Sequence, residues 1–206
     1  MKYLIFDTET TGLHSQDEVI QFRGLILDNN LKLKRGYNWY CDTQHEINKD
    51  AAAVHGITKK MLHDLSGGKV FEDHWFTMLN GIDMTEGITF IGWNVDFDKR
   101  LINQTLNNNG LDEFDFGRKV TTLRNSPDVY SFDLMKAVAN LMVGRDRLKL
   151  EQASKMISMD EATLKKRYSR LASKFTNVAE KDFHNALYDT YVAYEIFSEF
   201  AMKFMY

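Results

Sequence analysis

The chain has 206 residues, of which 44% are hydrophobic and 27% charged, with a net charge of −3. That is the make-up of an ordinary globular domain long enough to bury a substantial core. A single cysteine, Cys41, excludes an intrachain disulfide and a thiolate metal cluster, and no apolar run approaches the ~18 residues needed to cross a membrane.

The segment Met1–Phe6 runs directly into Asp7, too short for a signal-peptide core, so the expected compartment is cytoplasmic, with no membrane partner. Tyr3-Leu4-Ile5-Phe6 reads as a short buried strand, followed by Asp7-Thr8-Glu9-Thr10-Thr11-Gly12. Carboxylates two residues apart on a strand share a face, and two such anions repel unless something cationic lies between them. Oxygen ligands suit a hard divalent ion such as Mg²⁺ or Mn²⁺. On this fragment alone, solvated or helix-capping acids are an equal alternative.

Glu18–Leu27 and Leu31–Tyr40 read as two further strands joined by Asp28-Asn29-Asn30, an antiparallel meander. Ile47–Val54 and Thr58–Leu65 read as short helices around His55-Gly56-Ile57, and Phe71–Leu79 as a third. Gly87–Gly92 reads as a buried strand leading into a helix opened by Asn94-Val95-Asp96-Phe97-Asp98, which stops at Asn107-Asn108-Asn109-Gly110. Val129–Phe132 is a fifth strand. Helices over Asp133–Met142, Leu148–Met156 and about Asn185–Phe204 complete an α/β pattern: a mixed five-stranded sheet covered by helices. Asp96 and Asp133 read as helix N-caps rather than ligands. Trp93 reads as a packing residue, and the four histidines at 14, 45, 63 and 74 show no metal-ligand spacing.

His184-Asn185-Ala186-Leu187-Tyr188-Asp189 places a histidine at the start of the last helix and an acid just over a turn later. The neighbours of Asp189 on its helix face are Ala186, Ala193, Ile196 and Phe200, an apolar setting that is costly for an unpaired carboxylate. With these stretches in view, the chain resembles the DEDDh exonucleases, the DnaQ-like or proofreading type, within the ribonuclease H-like fold. Asp7 and Glu9 match the first motif. Asn94, Phe97 and Asp98 match the second, which favours Asp98 over Asp96. His184, Ala186 and Asp189 match the third, and Val54-His55-Gly56-Ile57-Thr58 matches a softer signature.

The resemblance covers nearly the whole chain and implies a ribonuclease H-like sheet in one exonuclease domain, residues 1–206. It also implies two divalent ions, Mg²⁺ or Mn²⁺, held by Asp7, Glu9, Asp98 and Asp189, with His184 as general base for two-metal hydrolysis. Thr8, Thr10, Gly12, Leu13, His55, Asn94 and Phe97 would lie at the terminal nucleotide. The expected reaction releases nucleoside 5′-monophosphates from the 3′ end of single-stranded nucleic acid, DNA first. The alternatives are 3′–5′ exoribonuclease or oligoribonuclease-type RNA trimming, and a non-catalytic polymerase-associated nucleic-acid-binding module. A DNA polymerase or replication and repair proteins are the corresponding protein partners. Beyond a minimal member, the chain carries a basic helical insertion at about 160–182. There Leu164, Tyr168, Leu171 and Phe175 form one face, while Lys166, Arg170 and Lys174 line another. Two readings of that insertion stand: a helix packed on the core, or a guide for the phosphate backbone.

Overall fold

The computed structural model describes residues 2–82, 87–117, 129–157, 160–175 and 186–204. Its organising element is β1 (Lys2–Thr10), the middle strand of a five-stranded sheet in the order β3-β2-β1-β4-β5. β2 (Val19–Leu27) and β3 (Leu33–Tyr40) pair antiparallel on one side, and β4 (Ile88–Gly92) and β5 (Val129–Asp133) pair parallel on the other. This is the mixed sheet expected from the sequence pattern. The first strand, however, extends four residues past Phe6, so Asp7 and Glu9 lie within it, opposite Arg23 and Gln21 of β2.

Alternation along β1 sorts the two core layers. Leu4 and Phe6 belong to an aromatic layer with Phe22, Trp75 and Phe90, covered by α3 (Phe71–Gly81) and α4 (Val95–Asn108). Trp75 meets Phe22 and Phe114 edge-on, centroids 5.9 and 5.4 Å away, which adds to the burial of these rings. Ile5 belongs to the opposite layer, under α8 (Ala186–Phe204) with Val192, Ile196 and Phe197. Asp7 and Glu9 continue the Ile5 side of the strand, so they project toward the helix that carries Asp189.

Two short helices shape the end of β1. α1 (Lys49–His55) is capped by Asn48, whose side chain accepts from Asp50 N–H, and ends at Gly56 with φ 70°, a left-handed turn that glycine takes without strain. α2 (Lys59–Ser66) is capped by Thr58. α5 (Leu134–Val138) is indeed capped by Asp133, and the chain continues from it as a π-helical turn over Ala139–Val143. Asp96 departs from expectation: Asn94 is the cap of α4, and Asp96 pairs instead with Lys99 and Lys136 at 3.3 and 2.8 Å. α6 (Leu150–Ser154) is shorter than the periodicity suggested.

In α7 (Glu161–Phe175), Leu164 and Tyr168 are buried and Leu171 packs beside them, while Lys166 and Arg170 are exposed. Arg167 reaches Glu195 of α8 at 3.7 Å. The apolar face of this helix therefore packs on the core, and residues 176–182 of the expected insertion lie outside the described residues. Among the described residues, no helix is long and apolar enough to cross a membrane.

Candidate active site

The end of β1 is pinned before it turns. A register shift between Glu9 and Thr10 ends the regular pairing with β2. Thr11 N–H then donates to Glu18 carbonyl (2.8 Å), Asn48 N–H to Thr11 carbonyl (2.7 Å), and the Thr10 hydroxyl to Gly12 carbonyl (2.8 Å). Asp17 accepts from the Thr11 hydroxyl and from His14 N–H, at 2.8 and 2.6 Å. Gly12 has no room for a side chain, because a Cβ there would stand 2.6 Å from this fixed Asp17 carboxylate.

His55 ties α1 to this loop. Its Nδ1 accepts from Ile57 N–H at 3.0 Å, which leaves Nε2 to donate to the Thr10 carbonyl at 3.2 Å. Burial lowers its pKa, in keeping with a neutral ring in this role. Between loop and helix lies a cavity of about 520 Å³. Thr8, Thr10, Gly12, Leu13, His55 and Phe97 all line it, six of the seven expected substrate residues. Asn94 does not. It holds the turn into α4 with φ 72°, an uncommon conformation for a residue other than glycine. The sequence reading missed Val54 as a cavity wall. It is 54% exposed and Leu13 66%, so apolar surface is left open to whatever enters.

The expected metal acids gather around Asp7. Burial holds its carboxyl well above the ordinary carboxylate range, and the charges of Asp98, Asp189 and Glu9 push it further in the same direction. Asp98 arrives from α4 and is 2% exposed. Its Oδ1 accepts from Thr8 N–H at 3.2 Å and from the Thr8 hydroxyl at 2.7 Å. Burial raises it to about 7 in spite of those donors, with a further upward push from Asp133. Asp7 and Asp189 also border a second cavity of about 360 Å³, which meets β1 at Phe6 and Asp7, just before the residues that line the loop cavity.

The donor chemistry fits a hard divalent cation: four carboxylates, one of them raised by the other three. Among the described residues, no three acid, histidine or cysteine side chains stand close enough to hold an ion as oriented. Asp98 Oδ1 is engaged by the Thr8 hydroxyl. His184, the expected proton acceptor, lies outside the described residues.

Comparison with known proteins places this arrangement. A five-stranded mixed sheet flanked by helices is shared with Exonuclease X in complex with 5′ overhanging duplex DNA (TM-score 0.62, 16% identity, 99% of this chain and 93% of that one). It is also shared with the zinc-bound form of an E. coli ExoI–ssDNA complex (TM-score 0.71, 15% identity, 99% and 41%). The fold is ribonuclease H-like. The family model described as "Exonuclease" (RNase_T) matches residues 4–197, and the chain belongs to that family, the DnaQ-like 3′–5′ exonucleases. A curated relative, the PolC-type DNA polymerase III of Ureaplasma parvum serovar 3, is 29% identical over 119 residues, 53% of this chain. The chain spans only 7% of that relative's length.

Proposed function

We propose that the chain removes nucleotides from the 3′ end of a single strand, DNA in the first instance, by metal-assisted hydrolysis. The observation that carries this reading is the position of Asp7: a buried carboxylate raised by Asp98, Asp189 and Glu9, beside a nucleotide-sized cavity in the loop that follows its strand. Asp7, Glu9, Asp98 and Asp189 would hold Mg²⁺ or Mn²⁺, two ions in the full reading. When bound, such ions stabilise negative charge developing on the phosphate oxygens and favour ionisation of the attacking water.

The chain's own residues supply the rest. The terminal nucleoside sits in the loop cavity, its base against Leu13, Val54 and Phe97, with Thr10 and His55 keeping the loop in place. The scissile phosphate then lies over Glu9 and Asp7. A water oxygen attacks phosphorus, and His184 takes the proton it loses. The bond from phosphorus to the 3′ oxygen of the preceding nucleotide breaks, that oxygen takes a proton from solvent water, and the products are a nucleoside 5′-monophosphate and a shortened strand with a new 3′ hydroxyl. An imidazole with an ordinary pKa of ~6.5 suits this transfer near neutrality. The DNA in both structural neighbours and the polymerase relative favour a DNA substrate arising near synthesis or repair.

The test is a denaturing-gel time course on 5′-labelled single-stranded DNA and RNA of matched sequence, with Mg²⁺ or chelator, for wild type and Asp189→Ala. A metal-dependent ladder shortening from the 3′ end, faster on DNA and absent in the variant, is expected. No shortening of either strand would leave the chain a binding module, and a faster RNA ladder would reassign the substrate.

A further inference from the structure

The 360 Å³ cavity next to Asp7 and Asp189 has a feature that hydrolysis at the terminal nucleotide does not use. Its charged lining residues are Asp7, Asp189, Glu151 and Lys149. Glu151 is engaged by Lys155, the C-cap of α6, at 3.1 Å. The exposed Lys149 has no ion-pair partner among the described residues, so its ammonium is available to an incoming anion. The backbone that carries it is tied from outside its own helix. The indole N–H of Trp93, which lines the same cavity, donates to the carbonyl of Leu148 at 3.2 Å and fastens the turn before Lys149 to the end of β4.

The two cavities flank successive residues of β1. Thr8, Glu9 and Thr10 line the loop cavity, and Asp7 lines the other. A strand whose last nucleoside fills the loop cavity must carry its scissile phosphate past Glu9 and Asp7, and the nucleotide before it falls toward Lys149. We propose that this second cavity is the subsite for the penultimate nucleotide, that Lys149 pairs with the phosphate on that nucleotide's 5′ side, and that Trp93 is the positioning residue that holds Lys149 there. The inference rests on the function proposed above, and it makes the chain a reader of strands rather than of free nucleotides. A phosphate brought beside three carboxylates needs a cation, and a lysine held at the rim supplies one as a compact point charge.

The experiment compares binding of thymidine 5′-monophosphate, which fills only the loop cavity, with that of a fluorescein-labelled oligothymidylate, which fills both. Chelator is present, so that nothing is cleaved. For Lys149→Gln, oligonucleotide affinity is expected to fall about 10-fold or more, the usual loss for a hydrogen bond to a charged group. Monophosphate affinity should hold within about 2-fold, and the slope of log affinity against log salt should drop by roughly 0.7, the share of one phosphate contact. Lys149→Arg should restore affinity, and Trp93→Phe, which keeps an aromatic ring but loses the indole N–H with its five-membered ring, should reproduce part of the selective loss. Equal loss on both ligands, or an unchanged oligonucleotide affinity and salt slope in Lys149→Gln, would overturn the assignment. A wild type that binds the monophosphate but no oligonucleotide would refute the strand reading itself, separately from the role of Lys149. Normal oligonucleotide binding without cleavage in Mg²⁺ would refute the hydrolytic function and leave the subsite standing.

Discussion

Asp98→Asn should make the metal-free protein more stable, and the gain should grow with pH. Asp98 is buried and held at about 7, against an ordinary value of 3.8. A carboxyl raised on folding binds its proton more tightly in the folded state, so its favourable contribution is intact below the unfolded pKa. It is lost as pH rises toward the folded one. About three pH units at ~1.4 kcal/mol each sets a ceiling of about 4 kcal/mol at about pH 8, and less than half of that at about pH 5. Asparagine keeps an oxygen for the Thr8 N–H and hydroxyl but brings an amide N–H₂ that needs an acceptor, so about 2–4 kcal/mol is the expected gain at the higher pH. For a chain of this length that is roughly 5–12 °C in Tm. Thermal unfolding in chelator at both pH values measures it directly, and a repeat with Mg²⁺ should raise the wild-type Tm while moving the variant little. A variant less stable than wild type at the higher pH, or one whose gain is the same at both, would refute the view that Asp98 is held as a strained acid awaiting a cation.

Three further outcomes follow from the same geometry. Gly12→Ala drives a methyl against an Asp17 carboxylate already fixed by Thr11 and His14, so it should cost about 1–3 kcal/mol in urea unfolding. It should also weaken thymidine 5′-monophosphate binding, and unchanged values of both would show that the loop yields. Thr8→Val removes the 2.7 Å hydroxyl donor to Asp98 and should cost about 1–2 kcal/mol where Asp98 is ionised, above about pH 7, and less below it. A cost independent of pH would mean that Asp98 is not the group affected. The His55 ring should appear by nitrogen NMR as the neutral Nε2–H tautomer and should stay neutral below the ordinary 6.5, because burial lowers its pKa. The Nδ1–H tautomer, or protonation above 6.5, would break the proposed link between α1 and the loop.

The sheet and the residues around Asp7 were legible because their signals are local. The apolar run that opens β1, a turn at Asp28-Asn29-Asn30 and carboxylates at i and i+2 are readable within ten residues, and motif spacing extended the reading to Asp98 and Asp189. The length of β1 was not legible: Asp7 and Glu9 have poor strand propensity, and pairing with Arg23 and Gln21 of β2 overrides it. Asp96 looked like a cap because acids favour that position, yet Asn94 turns the chain into α4, and Asp96 is drawn to Lys136, forty residues away. Trp93 looked like a packing residue because indoles usually are. Its bond to Leu148 spans 55 residues and has no counterpart in local periodicity. What distinguishes Lys149 is visible only in three dimensions: the neighbouring Glu151 is claimed by Lys155.

The placement of the acids follows from the sheet order. In a sheet containing parallel strands, ligands gather beyond the carboxyl ends of the strands, where chain direction or order changes. Here that place is the end of β1, with an antiparallel neighbour on one side and a parallel one on the other. The turn leaving β4 brings Asp98 in on α4 to meet Thr8, while α8 lies along the opposite face with Asp189. One strand thus serves two layers: Ile5 closes the core under α8, and two residues later the same face becomes Asp7. A shift of one residue in register would turn Asp7 into the layer of Phe22 and Phe90, so the pairing that fixes β1 also aims its carboxylate. The cost appears as raised carboxyls in the metal-free chain. Removing an acid and adding an ion should therefore stabilise the chain in the same direction, the second by an amount that grows with ion concentration.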